Sequence, residues 1–135
     1  MPLMTWDSSF SVGVRAMDDQ HKELVRALND LHPAMIAGDA KEVTSKLLTS
    51  LLKYTNDHFM AEESLLRRTL YPNLAIHHAM HIDLTRQVRE FVKRFERNEI
   101  ALSVHLMDFL RNWLTTHIRK EDREYGAWLN QHGTF

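Results

Sequence analysis

Five histidines and one glutamate fall where a helical protein would ordinarily place leucine. In this chain of 135 residues, one series at steps of three and four reads Leu74, His77, His81, Leu84, Val88, Phe91, Phe95. That spacing turns every member toward one side of a helix, so His77 and His81 share a face meant for a core. A second series, Val43, Leu47, Leu51, Tyr54, continues into His58 and Glu62. A third, Leu106, Leu110, Trp113, leads to His117, and His21 begins the fourth, Leu24, Leu28, Leu31, Met35. Burying such polar groups without partners costs on the order of 1–3 kcal/mol each. A domain stable by roughly 5–15 kcal/mol does not carry that several times over. Neutral imidazoles with a carboxylate and no thiolate are ligands for iron, zinc, copper or nickel rather than for calcium or magnesium. Five imidazoles exceed what one tetrahedral zinc site uses, so two metals bridged by carboxylates fit the count better.

The elements that must position these groups are helices. The first is expected from Asp18 or Asp19, acidic residues suited to a helix N-terminus, to Gly38, with Pro33 kinking its last turns. Asp39 can cap a second helix that ends near Arg67 or Arg68, and Tyr71-Pro72-Asn73 reads as a turn. A third stops near Asn98, and a fourth runs from about Ala101 toward Gly126. A short C-terminal segment around Trp128 and Leu129 is expected to fold back. The reading is thus all-α: an antiparallel up-down-up-down four-helix bundle with an N-terminal arm, one domain over residues 1–135 and helices near 18–37, 40–67, 73–97 and 101–125. His21 and His77 lie early in their helices, and His58 and His117 late in theirs. Alternating helix directions therefore bring all four to one end of the core.

Composition narrows the function. The chain has no Cys, which excludes disulfides, thiolate metal sites and a cysteine nucleophile. A net charge of −1 gives no electrostatic case for nucleic acid or an anionic membrane. The N-terminus lacks the pattern of a signal peptide, and no window reaches the apolar length of a spanning helix. A cytoplasmic protein without membrane insertion is the expectation. Of the nine His, His32, His78, His105 and His132 lie off the stripes and read as surface, flank or tail residues. One carboxylate position is ambiguous: Glu121 is i+4 from His117, whereas Asp122 at i+5 points about 140° away on a regular helix.

The ordered fragments Met17-Asp18-Asp19-Gln20-His21, His58-Phe59-Met60-Ala61-Glu62-Glu63, Tyr71-Pro72 followed by His77 and His81, and Trp113-Leu114-Thr115-Thr116-His117-Ile118 followed by Asp122 resemble the hemerythrin family, in particular its single-domain bacterial members. The resemblance covers nearly the whole chain. It implies a non-haem site of two iron ions with an oxo- or hydroxo-bridge, binding dioxygen reversibly. Transferred by position, His77, His81 and His117 would hold one iron, His21 and His58 the other, and Glu62 and Asp122 would bridge them. The second iron would keep an open position. The family pattern favours Asp122 over Glu121, which requires a π-type turn or helix end there. Glu63 then reads as a solvated or outer carboxylate. Met80, where many relatives have Glu, Leu84, where Phe is common, and Pro33 depart from the pattern without removing a ligand.

Two features bear on carrier against enzyme. Oxygen-activating di-iron bundles use Glu-x-x-His on two helices. Here the residues three before the histidines are Asp18, Thr55, Leu74, His78 and Leu114. Leu114, Ile118, Trp113 and Phe59 are expected to line an apolar oxygen pocket, a dry wall that admits a small neutral gas and slows water and protons. A reversible binder rather than an enzyme follows, with dioxygen as ligand and an oxygen-consuming enzyme or signalling protein as partner. Sensing, oxidase chemistry, and peroxide or nitric oxide handling are the alternatives.

Overall fold

The computed structural model describes residues 3–37, 41–98 and 104–135, with side chains described over 3–34, 42–98 and 107–135. Helix α1 spans Arg15–Ala37, α2 Lys41–Arg68, α3 Leu74–Glu96 and α4 Val104–Thr116. A π-helical segment, His117–Asp122, joins α4 without a break to α5, Arg123–Gln131. Among the described residues there is no strand, and no helix is long and apolar enough to cross a membrane. The predicted helix start beyond Gly38, the Asp39 cap, the fourth helix's start at Ala101, and the side chains of Met35, His105 and Leu106 lie outside the described residues.

The bundle is built as the apolar spacing predicts, with α1 against α2 and α4, and α2 against α3. Leu24, Leu28, Leu31, Leu51, Val88 and Leu110 are buried in a single core. Phe91 and Phe109, with ring centroids 4.6 Å apart, join α3 to α4.

Four local expectations are corrected. The first helix begins at Arg15, not at Asp18 or Asp19. Asp18 sits inside the first turn and reaches back, accepting hydrogen bonds from the Val12 N–H (2.8 Å) and Ser11 Oγ (2.6 Å). On α2, Leu51, His58 and Glu62 are buried as expected, but the buried face shifts by one residue at two other positions. Val43 and Tyr54 are exposed (45% and 51%), while Thr44 and Thr55 are buried. The Thr55 hydroxyl donates to the Leu51 carbonyl at 2.8 Å, so its polar group is satisfied within the helix and its methyl is free to pack.

Gly126 does not end a helix. The N-terminal arm crosses it so closely that a Cβ there would stand 1.9 Å from the Val12 carbonyl oxygen, so glycine is what permits the contact. Trp128 and Leu129 accordingly continue α5 rather than folding back, and Leu129 is fully buried. The arm itself is anchored. Phe10, Val12 and Val14 are buried, the Met4 N–H donates to Asn29 Oδ1 at 2.8 Å, and Arg119 on the π segment lies 4.2 Å above the Phe10 ring.

Candidate metal centre

The start of α1, the end of α2, the start of α3 and the π segment meet at one end of the bundle, which fixes alternating helix directions. There His21, His58, Glu62, His77, His81, His117 and Asp122 are all buried. Their ligating atoms form two overlapping groups, each with every atom within 4.8 Å of the others. One comprises Glu62, His77, His81, His117 and Asp122, and the other His21, His58, Glu62 and Asp122.

Each carboxylate sends one oxygen into each group. Glu62 Oε1 lies 2.6 Å from His77 Nε2 and 2.9 Å from His81 Nε2, and Asp122 Oδ1 lies 3.1 Å from His117 Nε2. On the other side Glu62 Oε2 is 3.0 Å from His58 Nε2, and Asp122 Oδ2 is 3.0 Å from His21 Nε2. Asp122, not Glu121, is the residue brought in. In the π segment the Arg123 N–H bonds to the Ile118 carbonyl, five residues back, and this wider turn moves position i+5 onto the face of His117. Glu121 stays outside, its carboxylate 3.8 Å from His117 Nδ1.

These atoms are close without being hydrogen-bonded as a set. His21 Nε2, His58 Nε2 and both oxygens of Asp122 are buried and lack an aligned partner. They converge on shared points instead of on one another. Neighbouring ligands on a metal with bonds of about 2.1 Å sit about 3 Å apart at right angles, which is the spacing seen here. The donor set therefore fits metal ions.

Charge balance says the same. Burial opposes charging His77, but the facing carboxylates of Asp122 and Glu62 outweigh it and push the ring up to about 10. The same balance carries His21 up to about 9 and raises His117. Burial alone would raise Glu62, yet the facing His21, His58 and His77 hold its carboxyl well below the usual range. Asp122 is also held low, by His117 and His21, against both burial and the charge of Glu62. Two buried carboxylates demand positive charge, supplied by protons or by metal cations.

Contacts behind the donors include one residue that spacing alone did not reveal. Tyr125, fully buried, donates its hydroxyl to Glu62 Oε2 at 2.7 Å. Its position three residues after Asp122 on the continuing helix was the available signal. Gln20 Oε1 lies 2.6 Å from His58 Nδ1, and Glu63 Oε2 lies 2.8 Å from His81 Nδ1. Phe59 stacks flat on His81, centroids 3.7 Å apart, and Leu114, Ile118 and Trp113 are buried. Met80 and Leu84 line a cleft of about 440 Å³ with Trp113, His117 and Glu121. His78 is exposed, and His132 stacks on Trp128 away from the cluster.

The sequence profile of the hemerythrin HHE cation-binding domain matches residues 12–129. A bacteriohemerythrin of Methylococcus capsulatus is 34% identical over 131 residues, covering 96% of this chain and 99% of the relative. A myohemerythrin of Theromyzon tessulatum is 28% identical over 120 residues, covering 89% and 88%. A crystal structure of wild-type hemerythrin superposes with a TM-score of 0.87 at 33% identity, covering 93% of this chain and 96% of that one. With the profile spanning nearly all of the fold and the site, the chain belongs to the hemerythrin family.

Proposed function

We propose that the protein holds two iron ions and binds dioxygen reversibly, serving as an oxygen carrier or store. The observation that carries this reading is the make-up of the buried cluster: five imidazoles, with two carboxylates that each present one oxygen to either group. His77, His81 and His117 would hold one ion and His21 and His58 the other, with Glu62 and Asp122 shared. Iron held there would supply the redox chemistry for binding dioxygen.

The chain's own residues set the terms. Neutral imidazoles outnumber carboxylates, so little negative charge is available to support more oxidising iron, and this disfavours oxidase chemistry. Phe59, Leu114, Ile118 and Trp113 are all buried, the Trp113 indole N–H without a hydrogen-bond partner, and apolar side chains at these positions would slow the entry of water and protons. Tyr125 orients the Glu62 oxygen on the two-imidazole side. Burial and the neighbouring carboxylates raise its hydroxyl well above the usual range, so it holds its proton at neutral pH.

The test is optical. Iron-loaded protein cycled between oxygen and argon is expected to gain and lose an oxygen-dependent absorption band over repeated cycles. Irreversible bleaching with oxidation of an added substrate would overturn the carrier reading in favour of an oxidase.

A further inference from the structure

Glu63 takes no place among the seven clustered donors, yet it is the carboxylate behind one of them. Successive glutamates of α2 face successive histidines of α3: Glu62 pairs with His77 inside the bundle, and Glu63 pairs with His78 outside it. His81, one turn along, is held by both glutamates. Its Nε2 lies 2.9 Å from Glu62 Oε1, and its Nδ1 lies 2.8 Å from Glu63 Oε2. Glu63 is largely buried (14% exposed), while His78 stands at the surface (53%).

Three of the other rings differ. His58 meets a neutral amide at Nδ1, His117 Nδ1 has the Glu121 carboxylate 3.8 Å away, and His21 Nδ1 has no partner. A carboxylate accepting from the outer N–H fixes the tautomer, leaves the inner lone pair free, and makes the imidazole a stronger donor. The flat stack of Phe59 on His81, 5° between planes, removes the remaining ring rotation.

We propose that Glu63 is a positioning residue that makes His81 the anchoring donor of the three-imidazole group, and that His78 is the surface clasp keeping Glu63 in place. This rests on the metal-binding reading above. Loss of Glu63 would weaken metal binding in the three-imidazole group and leave the His21–His58 group in possession of its ion.

The test is a competitive titration of the metal-free full chain with cobalt(II) and zinc(II), for the unaltered protein, Glu63→Gln, Glu63→Ala and His78→Ala. One of the two binding steps is expected to weaken by about 10–100-fold in Glu63→Ala. Glu63→Gln, which keeps an acceptor oxygen without the charge, should fall between, and His78→Ala should shift the same step least. In the zinc-loaded protein a slowly exchanging Nδ1 proton of His81 should be seen by NMR and be lost in Glu63→Ala. Two unaltered binding steps in Glu63→Ala would overturn the proposal alone, as would equal weakening of both steps. An unaltered protein that binds neither metal would overturn the metal site itself.

Discussion

Around Glu62 Oε1 and Asp122 Oδ1 stand three imidazoles, whereas around Glu62 Oε2 and Asp122 Oδ2 stand two. The richer half has a charged carboxylate behind His81 and a phenyl ring stacked on it. The poorer half has a neutral amide behind His58 and nothing behind His21 Nδ1. One half thus offers an imidazole more than the other, which is the difference expected if one ion is structural and its neighbour takes an outside ligand. The division also explains why both carboxylates are fully buried: each has an imidazole on either side.

The largest break in that comparison is Glu62→Ala, which removes an oxygen from both halves at once. Binding of both ions should be lost, read as iron per chain after anaerobic loading, and retention of either would show that the halves are independent. Next come the single-half variants. His77→Ala and His58→Ala should each reduce the content from two ions to one, and resonances near the deleted ring should cease to respond to zinc. If both variants lose both ions, the two halves act as one unit.

A third prediction concerns pH, and its sign depends on metal. Without metal, His21 and His77 keep their protons up to about 9 and about 10, against an ordinary 6.5. The stabilisation this represents is complete below pH 6.5 and is lost as pH rises through about 9 to about 10. The urea midpoint of the metal-free protein should therefore fall across that interval. Metal-loaded protein should show the reverse tendency, because the rings must be neutral to ligate and acid competes for them. Parallel profiles would contradict the idea that protons and metal ions satisfy the same atoms. The smallest effect is Tyr125→Phe, which leaves Glu62 Oε2 without its hydroxyl donor. It should cost about 1–2 kcal/mol of stability by denaturant titration and weaken the two-imidazole half more than the other.

Much of this was legible in the sequence because the histidines stand on leucine spacing, and period alone places His21, His58, His77, His81 and His117 on inward faces. Asp122 was not legible from spacing. On a regular helix it turns away from His117, and only the π segment brings it round. The face of α2 was misjudged around Val43 and Tyr54 because threonine counts as polar, although Thr55 satisfies its hydroxyl on its own helix. Gly126 read as a stop because the sequence does not show that another backbone passes over it. Tyr125 went unnoticed for the same reason, since the helix was expected to end beside it.

On the proposed reading the shared cluster holds two metal ions through a common pair of carboxylates. Quantifying iron per chain after anaerobic loading and desalting tests it most directly. The account predicts two ions per folded chain; a limit of one, or none, would contradict it.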